Sequence, residues 1–217
     1  MITRRSWLVA RRYVLGPLFL GVGLLLAGRR RIGLLVTGTA GAILLFFRDP
    51  ERPLDPDPDI VYAAADGIVT DVEEAHEVWI PGGEALRIST FLSIHNVHVN
   101  RSPVRGSITK MEEVAGGFLP AFLGGAKANY QKRLAIDGPE GRTVVAQIAG
   151  VVARRISSWI ETGDEVDAGQ RIGLVHFGSR TDVLLPAGSA DPLVSPGDRV
   201  LGGVTPLARY RKGEGVS

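Results

Sequence analysis

The chain has 217 residues and no cysteine, which excludes disulfides, thiolate metal sites and a cysteine nucleophile. A net charge of +2 is too mild for a nucleic-acid binder, and none is expected as a partner. The charge is uneven, however: Arg4, Arg5, Arg11, Arg12, Arg29, Arg30, Arg31 and Arg48 all precede the first acid, Asp49, and a basic, apolar N-terminus suits an anionic membrane surface.

The runs Val14–Gly28 and Ile32–Phe47 are apolar apart from their glycines, Pro17, Thr37 and Thr39, and Arg29-Arg30-Arg31 divides them. A full crossing needs about 20 residues, so each run is short for one. The pattern predicts an apolar helical hairpin over residues 1–47. Two tilted short spans fit it, and so does a hairpin entering one leaflet. The second apolar run, and the lack of a small-x-small cleavage site, argue against a signal peptide. Arginines stand at both ends of the first run, so flanking charge gives no clean orientation. The rest of the chain is expected on the cytoplasmic face of a cell membrane.

Arg48-Asp49-Pro50-Glu51-Arg52-Pro53 and Asp55-Pro56-Asp57-Pro58 form a boundary too proline-rich for helix. Beyond it, residues 48–217 read as one β domain. Val61-Tyr62-Ala63, Gly67–Val72, Leu86–Leu92 and Thr143–Ile148 carry strand-like patterns between turn residues. Leu119–Lys132 is the one stretch with a helical composition, weakened by Gly124-Gly125. A motif repeats 34 residues apart: Gly163-Asp164-Glu165-Val166-Asp167-Ala168-Gly169 and Gly197-Asp198-Arg199-Val200-Leu201-Gly202-Gly203. Asp66-Gly67-Ile68-Val69 is echoed by Ala149-Gly150-Val151-Val152. Such repetition marks a repeated supersecondary unit. The predicted class is mainly β, a β-sandwich resembling duplicated lipoyl/biotinyl-type hybrid motifs. A carrier function would need a lysine at the hairpin tip, and the tip is Gly178-Ser179-Arg180.

Arg171–Phe177 and Thr181–Leu185 read as two apolar strands around that Gly-Ser-Arg break. It is either an ordinary hairpin turn or a self-processing bond. A serine after a glycine can attack the preceding carbonyl, because no Cβ blocks the approach. Of the four histidines, His95 and His98 lie close together, but three residues apart on a strand they face opposite sides unless the chain bends. Each is either a packed side chain or a proton carrier. Asp66, before a strand, is either a turn-former or the orienter of a histidine. There is no His-x-His or H-E-x-x-H spacing, so no metal site is expected.

Phe46-Phe47-Arg48-Asp49-Pro50-Glu51-Arg52, Ala65-Asp66-Gly67-Ile68-Val69, His98 with Pro103 and Gly106, and Phe177-Gly178-Ser179 occur in the order that resembles the phosphatidylserine decarboxylases, in their short Gly-Ser-Arg form. The resemblance covers nearly everything beyond residue 45. It implies a proenzyme that cuts itself between Gly178 and Ser179 without hydrolysis, into chains 1–178 and 179–217 that stay together as a heterodimer and can oligomerise further. The small chain would begin with a pyruvoyl group made from Ser179. That group would form a Schiff base with phosphatidylserine and release carbon dioxide, giving phosphatidylethanolamine. Ser179, His98 and Asp66 are the implied catalytic residues, with His95 as an additional candidate. The sequence departs from longer members at two places: Tyr130-Gln131-Lys132-Arg133 stands where they carry an Asn-Glu-Arg segment, and a histidine position is altered. Registering on Pro103 and Gly106 puts their second histidine, the usual processing base, at Arg101, a poor base. Either His98 then serves both steps or His95 has taken one. The competing readings are a membrane-anchored, non-catalytic β-sandwich binding module and a zinc peptidase.

Overall fold

The computed structural model describes residues 2–117, 129–150, 155–176 and 179–211. The chain divides into two compact units, Met1–Glu51 and Arg52–Ser217.

In the first unit two helices, α1 (Arg4–Leu26) and α2 (Arg30–Phe46), pack as a hairpin. Thr3 starts α1 through a reciprocal capping box with Ser6 and donates its hydroxyl to Asp49 Oδ2 at 2.7 Å. The helices approach closely through glycine. A Cβ at Gly21 would lie 2.7 Å from the Thr37 nitrogen, and one at Gly33 would lie 2.9 Å from the Leu25 nitrogen. Phe19, Leu20, Leu26, Leu34, Leu35 and Leu45 point outward. The 23 residues of α1 rise about 34 Å, enough for a hydrocarbon core of about 30 Å. The 17 residues of α2 rise only about 26 Å. An apolar hairpin is thus observed, and α1 begins earlier than the apolar run, because the arginine-bearing turns join it.

The second unit is antiparallel β throughout its strand pairs. In chain order the strands are β1 (Ile60–Tyr62), β2 (Gly67–His76), β3 (Glu84–Leu92), β4 (Val99–Arg101), β5 (Gly106–Val114), β6 (Gln131–Gly138), β7 (Gly141–Ala149) and β8 (Ile156–Ser158). There follow β9 (Glu165–Val166), β10 (Arg171–Val175), β11 (Ser179–Pro186), β12 (Ala190–Pro192), β13 (Arg199–Val200) and β14 (Pro206–Tyr210). The long sheet has the order β13-β2-β3-β11-β7-β6-β5-β9, and two small sheets run β1-β14-β12 and β4-β10-β8.

This order is a duplication. β1–β3 pair with β11–β14 in the same pattern in which β4–β6 pair with β7–β10, and the halves meet where β11 pairs with β7. The sequence repeat falls on equivalent turns. Gly163 (φ 98°) and Gly197 (φ 100°) hold the left-handed backbone that glycine adopts without cost. Gly163 N–H donates to Ile108 O and Gly197 N–H to Val69 O, each at 2.8 Å. One half is therefore the continuous segment from β4 to β10, inserted into the other.

The main core lies between the long sheet and the small sheets. It joins Ile88, Ile108, Leu134, Val145, Val183 and Leu185 to Val61, Ile172, Leu207 and Ala208. Leu184, one residue out of phase, faces the other side with Trp79, Ile80, Ala85, Ala135 and Val144. There Lys110 and Arg133 each lie over the Trp79 ring, 4.3 Å from its centre.

Two sequence expectations change. β10 and β11 do not form a hairpin, because they belong to different sheets; and Ser179 and Arg180 are strand residues, not a turn. Of the stretch with helical composition, residues 118–128 lie outside the described residues, and Gln131 and Lys132 open β6.

Candidate active site

Ser179 is the first residue of β11, one of the two central strands of the long sheet. It pairs with Leu92 of β3 on one side and Ala149 of β7 on the other. β-branched and apolar residues follow, which suits a strand flanked on both edges. Ser179, Thr181, Val183 and Leu185 share one face by strand alternation, and Val183 and Leu185 place that face in the main core. Ser179 is fully buried, and its Oγ has no hydrogen-bond partner among the described residues. Arg180 points the other way. It is buried and forks onto Asp182 (2.6 and 2.9 Å), with Nη2 also donating to Ser89 Oγ at 2.7 Å. Burial alone pulls the Arg180 guanidinium down, but the hydrogen bonds and charge of Asp182, with Asp71, outweigh it and hold the group above its ordinary value.

A buried polar layer lies on the Ser179 side. Asn100 of β4 accepts at Oδ1 from Gln147 Nε2 (2.7 Å) and from Thr181 Oγ1 (3.4 Å). Gln147 and Thr181 are themselves register partners, one step along from Ala149 and Ser179. All three polar residues are at most 1% exposed. His98 precedes β4 and is also fully buried; its Nδ1 is 3.0 Å from Asn96 O, and its carbonyl accepts from Val175 N–H at the end of β10. His176, the next residue, sets Nε2 at 3.0 Å from Ser157 Oγ. Phe177 and Gly178, which join β10 to β11, lie outside the described residues.

Asp66 sits in a second cluster. Its two oxygens accept from Arg52 Nη1 and Nη2 at 2.5 and 2.8 Å, and Oδ1 also accepts from Gly202 N–H at 2.9 Å. Arg52 Nη1 donates as well to Gly202 O at 2.7 Å. Arg101 is buried, with Nη1 donating to Gly169 O at 2.9 Å and its N–H to Ala64 O.

The sequence profile of phosphatidylserine decarboxylase matches residues 40–208. The chain belongs to the phosphatidylserine decarboxylase family. Three relatives are named phosphatidylserine decarboxylase proenzyme. That of Symbiobacterium thermophilum is 46% identical over 82% of this chain and 83% of its own length. That of Gluconobacter oxydans is 47% identical over 76% of each chain. That of Carboxydothermus hydrogenoformans is 40% identical over 83% of this chain and 85% of its own. Membership of this carboxy-lyase family favours the enzyme over the non-catalytic module.

Within the family frame, the residues singled out in the sequence lie in different parts of the fold. Ser179 opens β11 and His98 lies just before β4; both are buried, and the His98 carbonyl accepts from Val175 N–H at the end of β10. His95 is exposed on the turn between β3 and β4. Asp66 lies in the bend just before β2, and its carboxylate accepts from Arg52 and Gly202, because the linker brings a guanidinium whose two donors match both oxygens. Asn100, Gln147 and Thr181 form a buried polar layer beside Ser179 that sequence reading did not single out. The signal was present in Asn100, an amide inside the alternation Val97-His98-Val99-Asn100, and in Gln147 within the apolar run of β7.

Proposed function

We propose that this chain is a phosphatidylserine decarboxylase proenzyme that matures by cutting itself between Gly178 and Ser179. The observation that carries the reading is the Ser179 hydroxyl: buried, without a hydrogen-bond partner among the described residues, and first in a central strand. A lone buried hydroxyl is costly unless it is there to react.

In this reading the Ser179 Oγ adds to the Gly178 carbonyl, and its proton passes to a base. His98 suits that role. Its Nδ1 faces the Asn96 carbonyl and so carries the ring proton, which leaves the lone pair on Nε2. The C–N bond then breaks, and the acyl group moves to oxygen. Loss of the Ser179 α-proton and cleavage of the Cβ–O bond free the Gly178 carboxylate; addition of water and departure of ammonia leave a pyruvoyl group at 179. The residues present fit that group, since it keeps the three carbons of Ser179 in the same enclosed position. Once formed, it supplies an electrophilic carbonyl for the substrate amine and an electron sink for the pair left by carbon dioxide. His98 then returns a proton to the substrate carbon. Asp66 acts through Arg52, holding the Gly202 turn of the smaller chain against the larger one.

The smaller chain, 179–217, carries β11–β14, and β11 is paired on both edges. The two chains therefore remain a heterodimer after cleavage. Residues 1–47 hold the enzyme to an anionic membrane from the cytoplasmic face, and residues 48–217 form the catalytic domain that meets phosphatidylserine there. Ser179→Ala should yield one intact, inactive chain on a denaturing gel; two chains from that variant would refute the reading.

A further inference from the structure

In the polar layer behind Ser179, a second buried atom lacks a partner among the described residues: the side-chain nitrogen Nδ2 of Asn100. The Asn100 oxygen is held by Gln147 Nε2 and Thr181 Oγ1. An amide is planar, so pinning its oxygen also fixes the direction of its NH2 group, which is fully enclosed with nothing among the described residues to donate to. Such a donor is expensive in a core, and an aliphatic side chain would avoid the cost.

Its place in the fold gives the reason. Asn100 lies against the Thr181–Gln147 pair, the next same-face step from the Ser179–Ala149 pair, about 7 Å along the strand. The carbonyl carbon that Ser179 attacks is bonded to the Ser179 nitrogen, so the reacting atoms begin at this end of β11. We propose that Asn100 is a catalytic residue of chain cleavage, donating Nδ2–H to the oxyanion that forms there. This rests on the self-cleavage reading above.

The step balances without a co-reactant. The Ser179 Oγ–H proton goes to the base, the Oγ–C bond forms, and the carbonyl π pair moves onto oxygen. Asn100 stabilises that charge. When the C–N bond breaks, the pair returns to the carbonyl, the Ser179 nitrogen takes a proton, and the ester remains. A fixed donor is worth most in the charged state, because it needs no reorganisation as the charge appears.

The test follows cleavage of freshly synthesised full chain on a gel for wild type, Ser179→Ala and Asn100→Asp. The introduced carboxyl keeps the acceptor for Gln147 and Thr181 but, when ionised, has no donor. At about pH 8, cleavage of Asn100→Asp should be about 10²–10³-fold slower than wild type. The ratio of variant to wild-type rate should recover as pH is lowered to about 5, because the protonated carboxyl can donate again. Dividing by the wild-type rate removes the titration of the shared base. A ratio that does not change with pH, or wild-type rates for Asn100→Asp throughout, would overturn the assignment. Unfolding of Asn100→Asp measured in the uncut Ser179→Ala background separates slow chemistry from misfolding, and the pH-dependent ratio still decides if the midpoint falls. Failure of the wild type to cleave, or cleavage of Ser179→Ala, would instead sink the self-cleavage reading itself.

Discussion

Replacing Arg52 by alanine tests the clamp that joins the linker, Asp66 and the Gly202 turn. The Arg52 and Asp66 side chains are only 11% and 5% exposed, and the pair is bidentate. Losing the guanidinium strands a buried carboxylate with the Gly202 N–H as its remaining donor. Breaking one partner of a buried pair costs about 3–5 kcal/mol. For a domain of this size that is a fall in Tm of about 6–20 °C. Arg52→Lys keeps the charge but not the fork, and should fall between wild type and Arg52→Ala. The assay is thermal unfolding of the full chain in mild detergent, with Ser179→Ala as the parent so that every sample is one chain. Asp66→Ala should cost less when added to Arg52→Ala than when made alone, because the partner is already gone. A midpoint for Arg52→Ala within about 2 °C of the parent, less than 1 kcal/mol, would refute the clamp.

Three other outcomes follow from the same geometry. A Cβ at Gly67 would sit 2.0 Å from the Phe91 carbonyl oxygen, so Gly67→Ala should destabilise by at least about 1–3 kcal/mol in the same unfolding assay; an unchanged midpoint would mean that the β2–β3 contact is looser than described. Burial, with the hydrogen bond to Glu113, pushes the Tyr130 phenol up to about 12, so the folded chain keeps this proton after the unfolded chain has lost it. That stability contribution is complete below about pH 10 and disappears as pH rises towards 12, and Tyr130→Phe should remove a late step from the phenolate absorbance titration. His98→Ala should abolish decarboxylation by whatever fraction matures, whereas exposed His95→Ala should be mild; carbon dioxide release per matured chain measures both, and the reverse order would move the role to His95.

The strands were legible because alternation and turn residues are local signals. Leu86–Leu92 and Thr143–Ile148 fall within β3 and β7. The duplication was legible too, since the same glycine backbone is needed at 163 and 197. What was hidden depended on partners distant in the sequence. Gly178-Ser179-Arg180 reads locally as a turn, yet Ser179 and Arg180 are drawn into a strand by β3 and β7, which begin 95 and 38 residues upstream of β11. Asp66 meets Arg52 at a separation of 14 residues and Gly202 at 136, so no motif could announce the clamp. Asn100 shows itself as functional only once Gln147 and Thr181 are seen to hold its oxygen and leave its nitrogen alone.

Intact mass spectrometry of the purified protein tests the central claim most directly. The account predicts two chains, 1–178 ending in a free carboxylate and 179–217 beginning with a pyruvoyl group. The smaller chain should be lighter by one ammonia than the same chain beginning with serine. A single chain of 217 residues, or a small chain with an unmodified Ser179 amine, would contradict it.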